Sequence, residues 1–249
     1  MKTTLCLLVY DELAGCKVDV PRLPRNHFDE VYAVDGGSTD GTVEYLESQG
    51  IPVLRQPKRS INAAYAHAVA LCKTETLVIF FPKGTIDPAC CVAMSEKLQE
   101  GFGLVVAGRN LPGGRNEEDH KLLKLRKWGV RTLSFVASCL WRREGARIDD
   151  VLHGVKGFSV SAFKHMDIAE VGVTVDLEMV IRSYRLRIPR AEIPVAEHAR
   201  TYSHSRFPIW STGKRLSRFL FSELFRKTPT LPRQADPRNG DCAKRPHQG

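Results

Sequence analysis

The sequence predicts an α/β fold, a single domain whose mostly parallel central sheet is flanked by helices. Three observations carry this. Short apolar runs rich in Val, Leu, Ile and Phe recur through the first hundred residues, stretches of helical character separate them, and a glycine-rich turn follows the second run. Strands alternating with helices at this spacing require right-handed crossovers, and hence a largely parallel sheet covered on both faces. The 249 residues, 43% hydrophobic, suffice for one sizeable core and are short for two ordinary domains.

In chain order, residues 4–10, 28–34, 52–54 and 77–81 read as strands, with helices over 42–49, 62–72 and 91–99 between them. Residues 103–107 give another strand. The pattern then changes to a loop, 111–119, and a long amphipathic stretch, 121–141, with Leu122, Leu125, Val136 and Leu140 among basic residues. A strand over 155–160, a helix over 176–185 and a strand over 190–195 follow. Residues 214–227 form a basic amphipathic helix with Leu216, Phe219, Leu220, Leu224 and Phe225 apolar. The segment 228–249 carries four prolines and little apolar content, so the ordered domain is expected over 1–227 and disorder beyond it.

Residues 1–100 hold 10 basic and 13 acidic side chains and the remainder 27 and 15, so the excess of positive charge belongs to the second half. Such a half suits nucleic acid, an anionic membrane surface or a phosphorylated substrate. Nucleic acid is the weakest of these, because no zinc, helix-turn-helix or single-strand stacking motif accompanies the charge. Seven cysteines form no C-x-x-C pair, which points to reduced thiols in a cytoplasmic compartment. No run approaches the roughly 18 apolar residues of a bilayer-spanning helix, and residues 1–10 read as a first strand, not a leader.

The most informative segment is Val34-Asp35-Gly36-Gly37-Ser38-Thr39-Asp40-Gly41-Thr42, where a strand gives way to a helix. Ligands of open α/β sheets bind at the carboxyl ends of strands. Gly36 and Gly37 permit a sharp exit and close backbone approach, while Ser38 or Asp40 can cap the helix that follows. This Asp-x-Gly-Ser-x-Asp-Gly-Thr pattern resembles the family 2 glycosyltransferases, which have the Rossmann-like GT-A nucleotide-sugar-binding fold. Further segments follow the family's order, in its dolichyl-phosphate mannosyltransferase-like branch. Tyr10-Asp11-Glu12 sits where the family has Tyr-Asn-Glu, and residues 60–68 where it has a Gly-Lys-Gly-x-Ala helix start. Residues 108–114 resemble Gly-Ser-Arg-Tyr-x-Pro-Gly-Gly, and residues 150–156 resemble Asp-x-x-x-Gly-Phe-Arg. Glu178, Glu192-Ile193-Pro194-Val195, Arg200 and Ser205-Arg206 complete the series.

The resemblance spans residues 3–225 and implies a donor half over 1–107 and an acceptor half over 108–227. It implies that Asp35 accepts a hydrogen bond from the base of a UDP- or GDP-sugar, since a carboxylate offers only acceptors. Tyr10 and Glu12 would line the base and ribose pocket, with Gly37, Ser38 and Asp40 shaping the loop. The family also holds a divalent cation, Mg or Mn, against the diphosphate through an Asp-x-Asp or Ser-Pro-Asp. Here those positions read Phe81-Pro82-Lys83, so neither aspartate is present and no metal ligand is assigned. Two readings stay open. Lys83 replaces part of the metal's task by neutralising the leaving diphosphate, or the fold persists as a nucleotide-sugar binder or regulator without chemistry. Asp87 caps the helix after Pro88 in preference to holding a cation.

On the acceptor side, the resemblance places Arg109, Lys156, Arg200, Ser205 and Arg206 where a phosphate is bound, as a polyprenyl-phosphate acceptor requires. Asp150 either orients the acceptor or serves as base for a hydroxyl such as that of a cell-envelope glycan, and Glu178 is the second catalytic carboxylate. Asp176 and Glu178 can instead be solvent-facing, and His153 beside Asp150 is a weaker acid–base candidate. The implied activity is an inverting sugar transfer. Residues 121–141 are expected to pack on the domain, whereas residues 214–227 combine Phe, Leu and Arg as peripheral helices at the inner, anionic face of a membrane do.

Overall fold

The computed structural model describes residues 1–116, 125–199 and 209–226. Seven strands form one sheet: β1 (Thr3–Val9), β2 (Glu30–Asp35), β3 (Val53–Arg55), β4 (Thr76–Phe80), β5 (Leu104–Gly108), β6 (Lys156–Ser159) and β7 (Arg190–Pro194), in the order β3-β2-β1-β4-β6-β5-β7. All pairs are parallel except those of β6, which runs antiparallel between β4 and β5. Gly157 in the middle of β6 has a packing cause: a Cβ there would stand 3.1 Å from Leu98. The sheet order 3-2-1-4 reverses direction between β1 and β4. The crevice beyond the carboxyl ends of those two strands is therefore where this topology puts a ligand.

The helices are α1 (Leu13–Asp19), α2 (Thr42–Ser48), α3 (Ile61–Leu71), α4 (Cys90–Gln99), α5 (Leu125–Trp141), α6 (Val160–Met166), α7 (Val175–Arg185) and α8 (Ile209–Phe225). Alternate residues of β1 and β4 feed two cores. Cys6, Leu8, Leu77 and Ile79 meet α3 and α7 on one face, while Leu5, Leu7, Val78 and Phe80 meet Cys91, Met94 and Leu98 of α4 on the other. The expected strands all form, within one or two residues at each end. Helices α1 and α6 were not expected.

Helix α5 packs as anticipated, but with a different face. Ser134, Ala137, Ser138 and Trp141 are buried, Val136 is partly exposed and Leu140 exposed. Leu122 lies outside the described residues, as does the segment 228–249. Helix α8 buries Leu216 and Glu223 and packs Phe219 and Leu220 against the first core, leaving Phe221, Leu224 and Phe225 exposed. No helix among the described residues is long and apolar enough to cross a membrane.

Candidate active site

The turn after β2 is built by its own side chains. Asp35, 3% exposed, accepts from the backbone N–H groups of Gly37 (2.8 Å) and Ser38 (3.0 Å) and from the Ser38 hydroxyl (2.6 Å). Gly37 has φ of +97°, a conformation that favours glycine. Ser38 Oγ accepts the Asp11 N–H at 2.8 Å, tying this turn to the end of β1. Asp40 takes the capping role: its carboxylate accepts from Leu13 N–H (3.0 Å), Thr42 N–H (3.0 Å) and the Thr42 hydroxyl (2.5 Å), at the starts of α1 and α2. Its pKa is lowered; desolvation raises it, and these hydrogen bonds outweigh that.

Beyond the ends of β1 and β4 lies a cavity of about 300 Å3, at the crevice the topology predicts. Its polar lining comes from Tyr10, Glu12, Gln56, Arg59, Ser60 and Lys83. Tyr10, Glu12 and Lys83 thus stand together. Asp35 lies outside the lining, its carboxylate engaged by the turn. Arg59, which sequence reasoning missed, has its guanidinium 4.3 Å from the Tyr10 ring centre and donates to the Tyr10 hydroxyl. Lys83 rests its ammonium 4.6 Å from the Phe81 ring centre.

Among the residues expected to bind an acceptor, Arg109 holds Asp150 with Nε–Oδ2 at 2.6 Å and Nη2–Oδ1 at 2.8 Å, and Glu197 through Nη1 at 2.8 Å. Asp150 is fully buried. Although burial raises its pKa, Arg109 outweighs this and holds it below the usual carboxylate range. A carboxylate so engaged is a poor proton acceptor, so the base role expected of Asp150 gives way to positioning Arg109. Glu192 supports this arrangement by accepting the backbone N–H groups of Asp149 (2.6 Å) and Asp150 (2.9 Å). That is a physical role for the Glu-Ile-Pro-Val segment. His153 is also buried. Burial first, and then Arg109 and Lys156, push its pKa down to about 4, so its ring is neutral near pH 7 and its Nδ1 accepts the Val155 N–H at 3.2 Å.

Two expectations are corrected. Lys156 is fully buried and does not reach a phosphate acceptor; its ammonium donates to the His153 carbonyl and to Asp176 Oδ1, the latter at 2.6 Å. Glu178 is neither solvent-facing nor poised for catalysis. It is 1% exposed and binds Thr174 Oγ1, the Ala169 N–H (2.9 Å) and Arg182 (3.2 Å), locking the loop before α7. The neighbouring Asp176 emerges instead. Its side chain is 20% exposed, 3.4 Å from the Tyr65 hydroxyl. Burial raises its pKa, against the opposing charges of Lys156 and Lys83. Arg200, Ser205 and Arg206 lie outside the described residues.

Among the described residues, no donor set fits the divalent cation that the family holds. The loop after β4 offers Phe81, Pro82 and Lys83, Asp87 is paired with Arg22 at 2.9 Å and bonds the Ala89 N–H, and the described residues contain no cluster of three or more His, Cys, Asp or Glu able to hold an ion.

The glycosyl transferase family 2 model matches residues 22–166, more than half the chain and the whole span from β2 through β6. The chain belongs to glycosyl transferase family 2. A curated relative is glycosyltransferase AglJ of Haloferax volcanii, 25% identical over 209 residues; the match covers 82% of this chain and 64% of AglJ, so the chain spans less than two thirds of that relative. Among solved structures, glucosyl-3-phosphoglycerate synthase from Mycobacterium tuberculosis in complex with Mn2+, UDP-glucose and phosphoglyceric acid superposes with a TM-score of 0.66. That match has 16% identity and covers 90% of this chain and 79% of that one. The same synthase with phosphoglyceric acid gives 0.64 at 16% identity, over 90% and 80% of the two chains. This family 2 chain therefore has the GT-A fold.

Proposed function

We propose that this chain is a metal-independent glycosyltransferase. It takes a sugar from a UDP- or GDP-linked donor to a hydroxyl of a cell-envelope glycan or glycolipid, with inversion at the anomeric carbon. The observation that carries this is the cavity at the β1/β4 crevice, lined by Tyr10, Glu12, Arg59 and Lys83. Tyr10 and Glu12 receive the nucleoside, and Lys83 meets the diphosphate, stabilising the charge that grows as the nucleotide leaves.

Among the described residues, the acceptor side favours a hydroxyl over an ionised phosphate. Arg109 is bracketed by Asp150 and Glu197 and Lys156 by Asp176, so each of these two cations already has a carboxylate partner. A hydroxyl acceptor needs a base. Asp176, with a raised pKa and within the electrostatic reach of Lys83, is better suited than Asp150, whose pKa is lowered. The acceptor oxygen attacks the face of the sugar opposite the departing nucleotide while Asp176 accepts its proton.

Transfer assays with UDP- and GDP-sugars in chelator test the reading. Turnover that survives EDTA supports it. Activity abolished by EDTA and restored by Mn2+ removes Lys83 from the metal's role, and preference for a polyprenyl phosphate over hydroxyl acceptors removes the hydroxyl assignment. For α8, the exposed Phe221, Leu224 and Phe225 beside Lys214, Arg215 and Arg218 suit an anionic cytoplasmic leaflet. Flotation with anionic vesicles at low salt checks that contact.

A further inference from the structure

Helix α1 is bonded both to the turn after β2 and to the loop that carries Lys83. At its start, the Glu12 and Leu13 N–H groups bond Thr42 Oγ1 and Asp40 Oδ2, each at 3.0 Å, fastening it to the nucleotide turn. From Gly15 to Asp19 it meets the loop that carries Lys83. Gly15 lies so close to that loop that a Cβ would fall 2.4 Å from the Pro82 carbonyl oxygen and 2.6 Å from the Lys83 Cα. One turn of helix further on, Asp19 Oδ2 accepts the Gly84 N–H at 2.7 Å. Gly84 sits at φ of +69°, and the Lys83 N–H bonds the Phe81 carbonyl at 2.9 Å. The lysine is thus borne on a tight turn whose exit is held by Asp19.

Asp19 is a costly way to hold one N–H. It is 1% exposed, its Oδ1 is buried without a hydrogen-bond partner, and the Gly84 bond is the sole hydrogen bond of its carboxylate among the described residues. Burial pushes its pKa up to about 6, the Gly84 bond and Arg22 opposing and Asp87 adding. A buried carboxylate kept for a single loop amide matters through the residue that loop presents.

We infer that Asp19 is a positioning residue for Lys83: with Gly15 it fixes the Pro82–Gly84 turn on α1 and sets where the ammonium meets the donor diphosphate. The inference rests on the reading of Lys83 given above. Substrate never touches Asp19; α1 ties the nucleoside end of the pocket to the diphosphate end.

The test is a double-mutant cycle read by calorimetric binding of UDP and GDP in EDTA, with uridine and guanosine as controls lacking phosphate. Lys83→Ala is expected to weaken the preferred nucleoside diphosphate about tenfold and to leave the nucleoside unchanged. Asp19→Ala is expected to reproduce this selective loss, the double variant to bind no more weakly than Lys83→Ala, and Asp19→Asn, which keeps an acceptor for the Gly84 N–H, to stay within about twofold of wild type. If Asp19→Ala fails to fold, Gly15→Ala, which drives a methyl into the Pro82 carbonyl, carries the same expectation. Three results overturn the inference: diphosphate affinity unchanged in Asp19→Ala, nucleoside and diphosphate weakened alike, or losses that multiply in the double variant. A Lys83→Ala protein with full diphosphate affinity, or a wild type that binds neither UDP nor GDP, overturns the reading of Lys83 itself.

Discussion

The ammonium of Lys156 lies 2.6 Å from Asp176 Oδ1, joining a fully buried side chain of β6 to the first turn of α7. This pair makes a strand lysine the partner of the carboxylate proposed as base. Asp176→Asn is expected to lower turnover by about 10²–10⁴-fold with donor affinity retained. Steady-state kinetics with a parallel binding titration checks this, and unchanged turnover excludes Asp176 as the base.

The same pair sets a pH profile. As the proposed base, Asp176 acts when ionised, so turnover should fall as pH drops through a pKa that burial holds above the ordinary carboxylate value. Lys156 opposes that rise, so Lys156→Met should move the acid limb of kcat to higher pH. A limb that stays in place would show that the two groups do not communicate.

Asp150 and Arg109 form a buried pair whose loss should be felt as stability. Asp150→Ala leaves the guanidinium with one carboxylate instead of two and is expected to cost about 3–5 kcal/mol in chemical denaturation. Because the folded pKa of Asp150 is lowered, its contribution is present above the ordinary carboxylate value and lost as pH falls through the folded one. The gap between wild type and variant should therefore narrow only in acid.

Glu192 has the opposite sign. Burial first, and then the nearby Asp150 and Asp149, push its pKa up to about 7 from 4.5, despite the two backbone N–H groups it accepts. The folded state binds the extra proton between those values, so the contribution of Glu192 is greatest below pH 4.5 and fades as pH rises through 7. The Tm difference between wild type and Glu192→Gln should shift against the wild type from pH 5 to pH 8. A difference independent of pH would show that Glu192 does not titrate there.

Arg59 covers the face of Tyr10 in the cavity at the β1/β4 crevice. Arg59→Ala is expected to weaken nucleotide binding about tenfold, equivalent to about 1.4 kcal/mol, and calorimetry with the nucleoside diphosphate measures it.

Much of this fold was legible because its signals are local. The runs that became β1, β2 and β4 carry their own apolar content, and the 34–42 turn holds its glycines, its caps and Asp35 within nine residues. Helix α1 was not legible. Its seven residues include Gly15, a poor helix former, and the reason for that glycine is the Pro82 carbonyl contributed by a distant loop. The antiparallel β6 was hidden for a similar reason, since strand direction leaves no mark in a four-residue run.

By itself, the sequence determined the α/β class, the glycine-rich turn after β2 and the lysine standing where the family holds a cation, because each is written in a short contiguous stretch. Tertiary structure decided which charges are available. It buried Lys156 against Asp176, spent Asp150 and Glu197 on Arg109, locked Glu178 into a loop and brought Arg59 over Tyr10. A side chain's charge is fixed by its chemistry, but its reactivity depends on partners and burial, and those are set by segments 9 to 88 residues apart.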